Sequence, residues 1–96
     1  MTTHSIELYE EFYDAVLNGI KTFEIRKADR DYKVGDTLLM TMMENTGKVA
    51  LATGRPIYKK CEAQRFKAVI TYILTHDMFP QGVPEGYVVM AIEVRK

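Results

Sequence analysis

Apolar residues along this chain follow two different rhythms. From Tyr9 to Asn18 they recur at three and four positions, so that Phe12, Tyr13, Val16 and Leu17, continued by Ile20, make one stripe of the kind a surface helix buries. Glu10, Glu11 and Asp14 fall in the first turns, where negative charge suits the helix dipole. Asn18-Gly19 is a stop signal, because Gly enters the left-handed conformation without a Cβ clash. On either side of this helix the rhythm is two. His4 to Leu8 puts Ile6 and Leu8 on one face of a short strand. Thr22 to Lys27 sends Phe23 and Ile25 one way and Thr22, Glu24 and Arg26 the other. Thr37 to Glu44 predicts a third strand, with Met40, Met42 and Met43 as core filler. Arg65 to Thr75 is the clearest strand, with Phe66, Ala68, Ile70, Tyr72 and Leu74 alternating against polar and β-branched positions, and Phe66 and Tyr72 expected in the core. Tyr87 to Arg95 turns Val88, Met90, Ile92 and Val94 to the core in the last strand.

Between these runs lie breaks. Ala28 to Lys33 is a charged loop, and Val34-Gly35-Asp36 is a turn in which Asp36 is expected to bond nearby backbone N–H groups. Asn45-Thr46-Gly47 is a turn signal, Lys48 to Ala52 reads as a short strand returning as a hairpin, and Thr53 to Pro56 breaks the chain again. Ile57 to Gln64 has no clear period and reads either as a loop or as the ragged start of the long strand. His76 to Gly86, with Pro80, Gly82 and Pro84, is a loop. One helix among five or six strands fits an α+β, mostly β fold: a small, mainly antiparallel barrel with the helix packed on it.

Ninety-six residues make a single domain spanning 1–96, and 47% apolar content allows a core without staples. Cys61 is the one cysteine, so neither an internal disulfide nor a cysteine metal cluster can form. His4, near the terminus, is expected in solvent, and His76-Asp77 is expected to start a turn; neither histidine has a second ligand at useful spacing, so no metal or other cofactor is expected. There is no apolar leader and no run long enough to cross a bilayer, so a cytoplasmic protein is expected, without a membrane partner. The formal net charge is +0, but residues 1–20 carry four acids and no Lys or Arg, whereas 45–75 are rich in base. The charge is therefore polarised along the chain rather than absent.

The remaining chemistry lies at Lys21, Glu24 and Arg26. Lys and Arg offer donors for phosphate or a base edge, and Glu accepts from an exocyclic amine. The same spacing also suits a salt-bridged set pinning the helix–strand corner, or a solvated strand face. Gly19-x-Lys21-x-x-Glu24-x-Arg26 resembles the signature of the ASCH domain, a relative of the PUA domain built on a small β-barrel. The likeness continues through Phe23-Glu24-Ile25-Arg26-Lys27-x-Asp29-Arg30-Asp31-Tyr32-x-Val34-Gly35-Asp36, a run similar to small, largely uncharacterised bacterial and phage ASCH-like proteins. It covers residues 4–44 well and 65–94 loosely, with an echo at Gly86-Tyr87-Val88-Val89, and leaves 45–64 uncovered.

The resemblance implies a PUA-like barrel that binds RNA or a nucleotide in a cleft beside the signature strand. Lys21, Glu24, Arg26, Lys27 and Arg30 would be the ligand residues, and Arg55, Lys59 and Lys60 would steer a polyanion in. Of the aromatic residues, Tyr58 and Tyr87 are the better candidates for exposed stacking surfaces. Some ASCH-like proteins are amidohydrolases that deacylate modified cytidine, using a Lys, a Thr three positions later and a Glu from elsewhere. Here that Thr position is Glu24, so a hydrolase on a modified nucleoside is the alternative, with Lys21 and Glu24 as its catalytic candidates. Unchanged turnover of acylated cytidines after Glu24→Gln would exclude it. A third expectation is an accessory module whose surface binds another protein.

Overall fold

The computed structural model describes residues 1–95. Strand β1 (Thr3–Tyr9) leads into helix α1 (Glu10–Leu17), which is followed by β2 (Phe23–Lys27), β3 (Thr37–Val49), β4 (Pro56–Thr75) and β5 (Tyr87–Arg95). The five strands form one sheet in the order β1-β3-β4-β5-β2. β1 runs parallel to β3, whereas β3–β4, β4–β5 and β5–β2 are antiparallel. The fold is thus α+β and mostly β, with one helix, as the periodicities imply. The sheet is mixed, however, and it is not closed by a ladder: β1 and β2 are both edge strands, where the sequence pointed to a barrel. None of the described helices is long and apolar enough to cross a membrane.

An eight-residue helix is marginal by itself, and α1 is held by what it buries. Tyr13 and Val16 enter the core, and Tyr13 meets the Phe66 ring edge-on at 5.2 Å. Ile6, Leu8, Leu38, Met40, Ala68, Ile70, Val88, Met90 and Ile92 complete that core from the inner face of the sheet. Phe12 and Ile20, although part of the predicted stripe, remain exposed. The helix ends as expected. Gly19 takes φ +73°, and the Ile20 and Lys21 N–H groups both donate to the Ala15 carbonyl, at 2.8 and 2.9 Å.

The structure decides four local points. First, of the two readings of Ile57 to Gln64 the start of the long strand holds, since β4 begins at Pro56. β3 runs on to Val49 and pairs with it as a two-stranded ribbon, so that strand with a register shift replaces the turn expected at Asn45-Thr46-Gly47, while the break before Pro56 becomes the ribbon's tip. Both faces of that ribbon meet solvent, so there is no inside–outside contrast to give it a period. Second, β4 carries an irregularity between Ile70 and Tyr72, which leaves Thr71 as an extra residue against β5. The alternation inverts beyond it. Tyr72, expected in the core with Phe66, is 55% exposed, and Ile73 packs inward instead. Third, β2 is turned over relative to its apolar pattern. Glu24 pairs with Met90 and faces the core, whereas Phe23 and Ile25 pair with Ala91 and Val89 and are 46% and 54% exposed. Phe23–Ala91–Tyr72 and Ile25–Val89–Leu74 are therefore two cross-strand rows on the outer face of the sheet. Fourth, His4 is buried rather than in solvent, with Nε2 donating to Asp36 Oδ2 at 2.8 Å.

Candidate functional site

β1 and β2, the two ends of the sheet, approach each other with no ladder between them, and a cleft of about 810 Å³ lies in that seam. Side chains of the segment after α1 reach across it. The Arg26 guanidinium donates through Nη2 to the Glu7 carbonyl, and Arg30 donates through Nη1 to the Ser5 carbonyl at 2.7 Å. Both carbonyls belong to the unpaired edge of β1, so the arginines satisfy backbone groups that a closed barrel would have paired.

Glu24 stands at the centre of this wall. The register of β2 against β5 turns it inward, and it is 5% exposed. A buried carboxylate needs countercharge. Lys21 Nζ lies 3.3 Å from Glu24 Oε1, and Arg26 Nε lies 3.7 Å from Oε2. Proximity does not complete the bonding. Glu24 Oε1 and Arg26 Nε are both buried and have no hydrogen-bond partner of suitable geometry. Lys21 is delivered by the helix end described above, and its Nζ donates to the Phe23 carbonyl at 2.8 Å. The ammonium also sits 4.8 Å from the centre of the Phe23 ring and 5.5 Å from that of Phe12, within the range of cation–π attraction.

All five ligand residues expected from the sequence, Lys21, Glu24, Arg26, Lys27 and Arg30, line this cleft, and so does Tyr87. Arg55, Lys59 and Lys60 do not; they belong to the β3–β4 ribbon or its tip. Tyr58 is likewise outside the cleft, where its hydroxyl donates to Glu11 Oε2 at 3.0 Å and its ring packs 4.5 Å from that of Tyr9. The cleft also recruits Glu7, Tyr9, Phe12 and Tyr32, which the sequence did not single out for it. Ser5 and Glu7 contribute backbone carbonyls, and a carbonyl leaves no mark in a sequence.

Tyr32 links the cleft to the buried pair behind it. Its ring centre is 4.8 Å from that of His4. Burial raises the Tyr32 phenol above its ordinary range, although Arg30 and Arg26 pull the other way. Asp36 accepts from His4 and from the Thr2 and Lys33 N–H groups, each at 3.1 Å, and these bonds hold its carboxyl below the usual range against the opposing effect of burial. The turn role expected of Asp36 is present in the Lys33 bond, and the His4 bond is added to it. Among the described residues, no three His, Cys, Asp or Glu side chains converge as a metal site requires.

Comparison with known proteins adds two findings. A stretch of 37 residues is 46% identical to an uncharacterised 12.9 kDa protein in the GpA 3′ region of Escherichia phage P2; the match covers 38% of this chain and spans about a third (34%) of that relative. Residues 3–92 match the model of a family described as a domain of unknown function, DUF3850. With nearly its whole length matched, the chain belongs to the DUF3850 family.

Proposed function

We propose that this chain binds RNA or a nucleotide in the seam between β1 and β2. The observation that carries the reading is the nearly buried Glu24 carboxylate between Lys21 and Arg26, opening onto a cleft walled by Tyr9, Phe12, Tyr32 and Tyr87. Carboxylate, guanidinium and ammonium supply both hydrogen-bonding polarities for a base edge, and the aromatic rings supply apolar surface for a base face. Lys27 and Arg30 at the same cleft offer donors to phosphate.

The finer family reading belongs to this proposal. The signature Gly19-x-Lys21-x-x-Glu24-x-Arg26 is the basis for reading the domain as ASCH-like and PUA-related. The approach of β1 to β2, bridged by Arg26 and Arg30, supports it as a barrel left open along one seam. The test is an NMR titration of labelled protein with short single-stranded RNA and with free nucleotides. Shifts concentrated on residues 19–30, Tyr32 and Tyr87 are expected. Shifts absent from these positions with every ligand would overturn the reading and bring a protein-binding role forward.

A further inference from the structure

We propose that the cleft reads one unpaired nucleobase through its Watson–Crick edge, and that the ligand brings no more than one phosphate with that base. This rests on the nucleotide-binding reading above and narrows it.

Two polar atoms of this wall have charged neighbours but make no hydrogen bond. Glu24 Oε1 is an acceptor and Arg26 Nε is a donor, and both are buried. Buried polar groups that make no hydrogen bond are costly, so both atoms would gain from a ligand that bonds them. They stand on successive inward positions of β2, and Arg26 Nε is 3.7 Å from the other oxygen of the same carboxylate. The wall thus presents an acceptor beside a donor. Its complement is an N–H next to an acceptor, the arrangement of an amide or amidine. Each of the four bases carries that arrangement on the edge it uses for pairing. A base held this way cannot be paired at the same time. It comes either from a free nucleotide or from a single strand.

Access to Glu24 Oε1 requires a movement. Lys21 Nζ lies 3.3 Å from Glu24 Oε1 and is tied to the chain by its bond to the Phe23 carbonyl. Lys21 is also the more exposed member of the pair, so it is the side chain that yields when a base enters. Charge sets the size of the ligand. Lys21, Arg26, Lys27 and Arg30 line the cleft against Glu7, Glu24 and Asp29, which leaves one net positive charge. That balance suits a single phosphate group. A triphosphate would bring several negative charges to a wall with one to offset them.

Calorimetric titration tests this with the four nucleoside monophosphates, the triphosphate of the tightest binder, and its counterpart methylated on the Watson–Crick nitrogen. A single-stranded homopolymer of the same base and a hairpin duplex complete the set. The methylated compound is expected to bind roughly tenfold more weakly or worse; the triphosphate should gain nothing over the monophosphate, and the duplex should not bind. A single strand tighter than the monophosphate names the strand as the source, and the reverse order names the free nucleotide. Equal binding of methylated and parent compounds, duplex binding equal to single strand, or a much tighter triphosphate each overturns the inference while leaving the cleft reading intact. Failure of every nucleotide to bind overturns both.

Discussion

At the scale of single residues, the pair His4–Asp36 shows how a terminal histidine and a turn aspartate come to share one buried site. Asp36 gathers donors from His4, Thr2 and Lys33, and its carboxyl is consequently held below the ordinary range. A depressed carboxyl favours the folded state at pH above the value it has when unfolded, about 4. That contribution is lost as pH falls through the lower folded value. Acid titration of folding, followed by urea unfolding at stepped pH, should therefore show stability falling below about pH 4, and Asp36→Asn should flatten that part of the profile. A variant whose profile keeps its full slope would mean that other carboxyls govern acid unfolding. The Asp36 turn was legible in Val34-Gly35-Asp36, because turn chemistry is local. The His4 contact was not, because it joins positions 32 residues apart.

At the scale of elements, the corner between α1 and β2 decides where Lys21 sits. Its geometry depends on Gly19 at φ +73°, with open space where a Cβ would stand. Gly19→Ala should thus meet no clash and only the backbone penalty, a loss of roughly 1–2 kcal/mol in urea unfolding. A loss well below that would show that the corner can re-form in another conformation. The helix and five strands could be read because their periods are local properties of the chain. The facing of β2 could not. Phe23 and Ile25 alternate as a buried pair would, yet they join Ala91, Val89, Tyr72 and Leu74 on the outer face. A period of two fixes which side chains travel together and leaves open which side is inside. The irregularity after Ile70 hides the inversion in β4 for the same reason, since one extra residue leaves no mark in composition.

At the scale of the whole molecule, those two outer rows are the largest surface consequence of the turned-over strand. Phe23, Ile25 and Tyr72 expose apolar side chains next to one another on a chain whose formal net charge is +0. Little long-range repulsion keeps copies apart. Concentration-dependent self-association is expected in sedimentation experiments. Tyr72→Lys should suppress it while leaving stability within about 0.5 kcal/mol, as for most surface changes. A wild-type chain that stays monomeric at high concentration would show that these rows do not self-associate. The candidate site was more legible than the surface, since its five expected residues lie within ten positions of one another in the sequence and all face one cleft. Its opposite wall, built from β1, became visible when the two ends of the sheet came together.

That seam has a further consequence for the width of the cleft. In the rest of the sheet, moving one strand against the next means breaking a row of backbone bonds, so the spacing is locked. Between β1 and β2 no such row exists, and two arginine side chains bridge the gap instead. Exchanging a long side chain for a shorter one there would resize the gap without refolding anything. The width of the opening is in this way separable from the scaffold: it can change by single substitutions while the strand order stays the same.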